Sequence, residues 1–97
     1  MVDLYKLADQ VTDEKSFLDF ISFLAADRAD EVAIEKINPS APYGPGANGW
    51  ENGTVESFLT AAVAWAESSI NGLEFYKKPD NPWKRCAQIL LAGKFYE

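Results

Sequence analysis

Few side chains in this sequence could carry out chemistry, and the usual catalytic combinations cannot be assembled from them. The 97 residues contain no histidine and a single cysteine, Cys86. The chain therefore has no imidazole base, no Ser-His or Cys-His pair and no ligand set for zinc. Cys86 falls within an apolar segment, where a cysteine is typically a small packed hydrophobe and not a reactive thiol. We therefore expect no catalytic activity and no cofactor.

Carboxylates are the remaining candidates, and three of them, Asp27, Asp30 and Glu31, lie close together in the sequence. A calcium or magnesium site needs a more defined ligand spacing and a turn glycine, which this segment does not have. A two-carboxylate hydrolase needs its acids placed across a substantial cleft, which a chain of this size is not expected to build. We interpret the three acids as a solvated helix face, with Arg28 among them as a surface salt-bridge partner.

Aromatic residues form the better candidate binding surface. Six of them fall in or beside two loops and the helices that those loops join: Tyr43, Trp50, Trp65, Phe75, Tyr76 and Trp83. If they converge, they would line an apolar pocket with a few polar groups at its rim, suited to a peptide or a small ligand. The alternative is that they close the ends of a small helical core. The sequence leaves both interpretations open.

Hydrophobic periodicity predicts an all-α, compact single domain of about four helices over residues 1–97. The helices are predicted over residues 3–10, 13–33, 54–70 and 82–95. A Pro/Gly-rich loop over residues 38–53 separates the second helix from the third. The third helix has the clearest apolar stripe, which we expect to face the core: Val55, Phe58, Leu59, Ala62, Ala66 and Ile70.

Start and stop signals support these boundaries. Residues suited to capping a helix N-terminus precede each helix: Asp3, either Thr12 or Asp13, Thr54, and Asn81 followed by Pro82. Gly72 is placed to turn left-handed after the third helix, and Trp50 to pack on its first turns. The last helix is apolar nearly all round, so it is either central or covered by a partner. Leu91 and Phe95 lie off its main face and could form a homodimer contact.

The charge distribution bears on partners. The net charge is −6, which argues against nucleic-acid binding. Residues 1–76 carry 4 basic and 13 acidic groups, whereas residues 77–97 carry 5 basic and 2 acidic groups. An acidic body with a basic C-terminal segment is either self-complementary or presents two patches to a partner. With no leading signal segment and no apolar run long enough for a bilayer, we expect a cytoplasmic protein without a membrane contact.

These features favour a non-catalytic protein-interaction module. Its partner would be another protein, and a basic one would suit an immunity- or antitoxin-like role through charge complementarity. The alternative is a small-ligand or peptide-binding domain that uses the aromatic set as its pocket. Tryptophan fluorescence in a ligand screen would separate the two functions.

Several short patterns in the chain go together. They are Trp50-Glu51-Asn52 followed by Thr54-x-Glu56-x-Phe58-Leu59 and Trp65, the Asn81-Pro82-Trp83 helix start, the closing residues Ala87, Leu90, Tyr96 and Glu97, and Phe17-Leu18-x-Phe20. Together they resemble a family of small, uncharacterised bacterial proteins grouped as a domain of unknown function. The resemblance covers nearly the whole chain, although residues 38–48 look longer than expected there, as an insertion would. It implies a compact, mostly helical domain and no established activity, so no catalytic residue is carried over.

Overall fold

The computed structural model describes residues 2–97 and contains four α-helices. They are α1 (Leu4–Asp9), α2 (Glu14–Ile37), α3 (Val55–Ser68) and α4 (Pro82–Phe95). Over the described residues there is no β-sheet, and the extended backbone pairs only at one antiparallel bridge, between Leu73 and Tyr76. The predicted all-α class is confirmed. Helix α2 runs one turn further than predicted.

Local capping accounts for where each helix begins. The Asp3 carboxylate accepts from the amides of the first turn of α1, and Thr54 forms a capping box with Ser57 at α3. Asp13, and not Thr12, caps α2, again in a capping box with a serine. Asn81 accepts from two amides of α4, whose first residue is Pro82. Residue type and position predict the caps of α1, α3 and α4, and the structure decides between the two candidates at α2.

Helix α4 is the centre of the fold. It packs against α1, α2 and α3, and α1 also packs against α2. Within residues 2–97, α2 and α3 do not pack against each other. The main core cluster lies between α1, α2 and α4: Leu4, Ala8, Val11, Phe20, Leu24, Trp50, Ala87 and Leu91. Since α2 and α3 share only α4 as a neighbour, a gap remains between them.

Helices α3 and α4 approach closely because small residues line their contact. Ala61, Ala62 and Ala92 are buried there. A Cβ added to Gly93 would lie 2.9 Å from the carbonyl oxygen of Phe58 and 2.9 Å from its ring. Only glycine therefore permits this separation between the two helix backbones.

The predicted burial of the α3 stripe is wrong, and one residue of the predicted dimer contact is buried. The stripe of α3 was expected to face the core, yet Val55, Leu59 and Ile70 are exposed. Helix α4 covers the neighbouring face instead, because the apolar surface of α3 is wider than one adjacent helix can cover. Of the two residues predicted to form a homodimer contact, Leu91 retains only 5% exposure inside the core, whereas Phe95 is exposed; the homodimer itself stays a prediction.

None of the helices within residues 2–97 has both the length and the apolar character that crossing a bilayer requires.

A candidate binding groove and the carboxylates that shape it

Three carboxylates of α2 hold the Pro/Gly-rich loop against the helix. Asp27, Glu31 and Glu35 follow one another at four-residue steps, so they lie along one face of α2. Glu35 accepts hydrogen bonds from the Ser40 amide at 2.6 Å and from the Ala47 amide at 2.9 Å. We call Asp27, Glu31 and Glu35 the loop anchor. Their role corrects the interpretation of this acidic segment as a solvated face.

Glu31 is the buried centre of the loop anchor, with 1% of its surface exposed. Its Oε1 accepts from the amides of Asn48 and Trp50 at 2.9 and 3.2 Å, and its Oε2 accepts from Arg28 Nη1 at 2.6 Å. A buried carboxylate is tolerated only when its lone pairs are satisfied in this way. The Arg28 ion pair was predicted at the surface, and the structure places its carboxylate in the interior.

Trp50 can be buried in the core because its indole N–H has a hydrogen-bond acceptor. Its Nε1 donates to Asp27 Oδ2 at 2.9 Å, and Lys94 Nζ donates to the same oxygen at 2.8 Å. The cationic groups of Arg28 and Lys94 lie 5.8 and 5.7 Å from the Trp50 ring centroid, within cation–π range. The ring also packs on Phe58, which confirms the predicted contact between Trp50 and the first turns of α3. The loop anchor thereby positions Trp50 between α2, α3 and α4.

An apolar groove of about 430 Å³ lies in the gap between α2 and α3. Its walls and ends are formed by Ile21, Leu24, Ala25 and Arg28 of α2, by Val55, Phe58 and Leu59 of α3, by Leu90 of α4, and by the segment Trp50 and Asn52–Thr54. We call this space the α2–α3 groove. It exists because α4 separates α2 from α3 and leaves the outer half of the α3 stripe uncovered.

The predicted aromatic set does not converge on one pocket. Trp50 lines the α2–α3 groove, whereas Trp83 packs on Phe17 with ring centroids 5.6 Å apart. Tyr43 and Phe75 are fully exposed at loop positions. The set is therefore divided among separate parts of the molecule.

Trp65 and Tyr76 form a separate aromatic cluster around Arg85. The two rings meet edge-on at 5.1 Å, and the Arg85 guanidinium lies 5.0 Å from the Trp65 ring centroid. Arg85 is 9% exposed and donates to the Ala66 carbonyl and to Ser69 Oγ, each at 2.9 Å. These acceptors lie at the C-terminus of α3, where the helix dipole favours a cation. We attribute a structural role to this cluster.

Cys86 is exposed, which corrects its predicted packing in the core. It lies one helical turn before Leu90, whose side chain lines the α2–α3 groove, so both residues are on the same side of α4. The physical reason is that α2 and α3 leave this side of the central helix uncovered.

Three carboxyl groups outside the core have shifted pKa values. The pKa of Glu35 is lowered, mainly by its hydrogen bonds from the Ser40 hydroxyl and amide. The pKa of Asp13 is lowered by the backbone amide and hydroxyl of Ser16, which stabilise the carboxylate at the α2 cap. The pKa of Glu51 is raised by desolvation and by the adjacent Glu97 carboxyl. The first two shifts favour the charged forms that hold the loop and the cap.

The fold and the groove define a small all-α domain with an apolar surface cleft between two helices. The family model of DUF7660, a family of unknown function, matches residues 13–97. The match spans most of the chain, and the protein belongs to this family. It begins at Asp13, the cap of α2, and leaves α1 outside. No curated protein matches the chain. The solved structures also contain no match.

Sequence reasoning missed the residues that build the groove. The sequence pattern predicts Glu31 on a solvated face and Leu59 in the core, whereas Glu31 is buried and Leu59 is exposed. One signal was present: Asp27, Glu31 and Glu35 share a helix face and are followed by a loop rich in glycine and proline, whose amides lack partners of their own. Ala25 and Leu90 carried no signal that distinguishes a groove from a core.

Proposed function

We propose that this protein is a non-catalytic protein-interaction module whose α2–α3 groove receives an apolar segment of a partner. One observation carries the proposal: α2 and α3 both pack on α4 but not on each other, and the gap between them is lined almost entirely by apolar side chains. An apolar cleft left open between two helices is a common docking site for a partner's amphipathic helix.

The exposed part of the α3 stripe supports this function. Val55 and Leu59, which line the groove, and Ile70, just beyond the end of α3, are each more than half exposed. They follow the length of α3, which has 14 residues and is therefore about 21 Å long. Contiguous apolar surface on a protein that must stay folded in water is typical of an interaction site.

An immunity- or antitoxin-like role is the narrower form of this proposal. The net charge of −6 would favour encounter with a basic partner, and the groove would supply the apolar contact. In that role the protein would bind and block its partner without transforming it.

A small apolar ligand is the second candidate occupant of the same groove. The volume of about 430 Å³ falls within the range of ~300–1,000 Å³ found for small-molecule sites. The Trp50 and Phe58 rings, 5.8 Å apart, form a contact surface suited to an aromatic ligand.

The test of the groove as a binding site is a variant that fills it with a large side chain. Ala25 lines the groove and is exposed, so Ala25→Trp should fill the groove without disturbing the core. Ala26, also exposed but absent from the groove lining, provides the matched control Ala26→Trp. The probe is a fluorescein-labelled peptide of about 18 residues, long enough to form a helix, with leucines at three- and four-residue steps and glutamine elsewhere.

We expect the wild type and Ala26→Trp to bind the peptide, and Ala25→Trp to lose at least about tenfold in affinity, the equivalent of about 1.4 kcal/mol. Binding of anilinonaphthalene sulfonate that is lost only in Ala25→Trp, with no peptide binding, would favour the small ligand. Peptide binding that is equal in all three proteins would contradict use of the groove.

A further inference from the structure

We propose that the partner segment carries a carboxylate side chain at one end of its apolar face, and that this carboxylate binds the Arg28 guanidinium in the α2–α3 groove. This inference rests on the proposed function and adds the chemistry of the partner. It is carried by Arg28, which bears the one charge among the groove-lining side chains of residues 2–97.

Arg28 lies at one end of an otherwise apolar wall. Ile21, Ala25 and Arg28 follow one another at four- and three-residue steps along α2, so they share one face, and Arg28 is roughly 10 Å along the helix from Ile21. Arg28 Nη2 donates to the Gly53 carbonyl at 3.1 Å, directly before the Thr54 cap of α3. The cation therefore lies where the groove meets the loop, and the rest of the α2 wall is apolar.

The ion pair between Arg28 and Glu31 has its positive end toward the groove. The Arg28 side chain is 36% exposed, whereas the Glu31 side chain is 2% exposed. Glu31 Oε1 also accepts from the amides of Asn48 and Trp50, which stabilise its charge on the interior side. Coulomb interactions weaken with distance, so an anion in the groove is attracted by the nearer guanidinium more than it is repelled by the buried carboxylate.

The guanidinium has donors left for a second carboxylate. A guanidinium has five N–H groups, and within residues 2–97 Arg28 donates through Nη1 to Glu31 at 2.6 Å and through Nη2 to the Gly53 carbonyl. Its remaining N–H groups keep the planar arrangement that matches carboxylate oxygens. The apolar walls beside it lower the local dielectric, which strengthens a charge-assisted hydrogen bond formed there.

Two other carboxylates near this end of the groove are paired or lie on another surface. Asp27, next to Arg28 in the sequence, accepts from Lys94 Nζ at 2.8 Å and from Trp50 Nε1 at 2.9 Å. Glu56, in the first turn of α3, lines a different surface together with Thr60. The net charge of −6 acts on a partner as a whole, so a basic partner with one acid on its docking segment satisfies both requirements.

The test compares three labelled peptides of about 18 residues with identical leucine positions and with glutamate, glutamine or lysine at both ends of the leucine row. Fluorescence anisotropy is measured at about 0.15 M salt, where screening over about 8 Å suppresses the effect of distant charges. We expect the glutamate peptide to bind at least about tenfold more tightly than the glutamine peptide, because its hydrogen bond to Arg28 joins two charged groups. The lysine peptide should bind weakest.

Two double variants that preserve the net charge test the role of Arg28. Arg28→Gln with Glu31→Gln removes both charges of the groove ion pair, so no buried carboxylate is left unpaired. Lys15→Gln with Asp19→Asn is the matched control, because it removes an exposed ion pair of α2 outside the groove lining. We expect the first double variant to lose the preference for glutamate over glutamine and the control to keep it.

The readout is the ratio of affinities for the glutamate and glutamine peptides. A general loosening of the groove weakens both peptides and leaves the ratio unchanged. Thermal melts confirm that the double variants are folded. Arg28→Lys provides a second variant, since it keeps a cation beside Glu31 but loses the planar set of donors, and it should reduce the ratio as well.

The outcomes separate this inference from the proposed function. Equal affinity of the wild type for the three peptides, with loss of binding in Ala25→Trp, would overturn the carboxylate and leave the groove as the binding site. A glutamate preference that survives in the Arg28→Gln and Glu31→Gln double variant would overturn the role of Arg28. Binding of no peptide would overturn the proposed function itself. Binding of 1-naphthoic acid that requires Arg28, with no peptide binding, would replace the partner segment with a small apolar acid.

Discussion

Gly46 lies so close to the Glu31 carboxylate that no side chain fits at position 46 of the loop. A Cβ placed on Gly46 would lie 2.2 Å from the Glu31 carboxyl carbon and from its Oε1. The carboxylate cannot simply move aside, because it accepts from Arg28 and from two loop amides in the interior. The glycine of the loop and the buried acid of α2 therefore depend on each other, although 15 positions separate them in the sequence.

Gly46→Ala should destabilise the protein. Displacing Glu31 leaves buried amides without an acceptor, at a cost of about 1–3 kcal/mol, which exceeds the ~0.4–1 kcal/mol gained by stiffening the unfolded chain. Urea unfolding measures the difference. Gly44→Ala is the matched control, since a Cβ there would lie 3.8 Å from its nearest neighbour within residues 2–97, an ordinary van der Waals contact with Ala41. Equal stability of the two variants would contradict the contact between Gly46 and Glu31.

Glu31→Gln should loosen the loop and expose Trp50. The amide keeps the size of the side chain but loses the charge that pairs with Arg28, and it places a donor where the structure has an acceptor. We expect a loss of about 1–3 kcal/mol in unfolding free energy and a red shift of tryptophan emission. Asp30→Asn is the control, because Asp30 is exposed and, among residues 2–97, accepts from the Asn48 side chain alone. An unchanged emission spectrum in Glu31→Gln would count against the loop anchor.

Gly93→Ala should push α3 away from α4. Alanine gains about 1 kcal/mol of helix propensity over glycine, but its methyl group would overlap the Phe58 carbonyl and ring. Overpacking of this kind costs about 1–3 kcal/mol, so we expect a net loss of stability in urea unfolding. Ala29→Gly, at an exposed position of α2, measures the propensity term alone. A Gly93→Ala variant more stable than the wild type would show that the helices can separate freely.

We expect low pH to weaken the hydrogen bonds by which Glu35 holds Ser40 and Ala47 of the loop. Its folded-state pKa is lowered by the Ser40 hydrogen bonds, so its stabilising contribution is complete above the unfolded pKa and is lost as pH falls through the folded value. We expect the melting temperature to fall between about pH 5 and pH 2, and Glu35→Gln to make that fall shallower. Glu51→Gln is the comparison, because the pKa of Glu51 is raised and its effect has the opposite sign. Identical pH profiles for Glu35→Gln and the wild type would contradict this role.

The sequence by itself determined the helices and where they begin. Asp3, Thr54 and Asn81 cap their helices through side-chain contacts two or three residues away, and Gly72 takes the left-handed conformation predicted for it, with φ of +83°. Such contacts depend on neighbours along the chain, so residue type and spacing are sufficient to predict them.

Only the tertiary structure decided which apolar and charged groups are buried. The sequence alone predicts that the acidic segment of α2 is a solvated face. In the structure the loop lies over α2, and its amides donate to Glu31. The sequence predicts Leu59 in the core and Leu91 off the main face of the last helix, yet Leu59 is left exposed and Leu91 is buried in the core cluster with residues of α1 and α2. Burial depends on which helices pack together. Gly93 allows α3 to approach α4 closely, whereas α2 and α3 do not pack against each other within residues 2–97. The groove is the consequence of that arrangement.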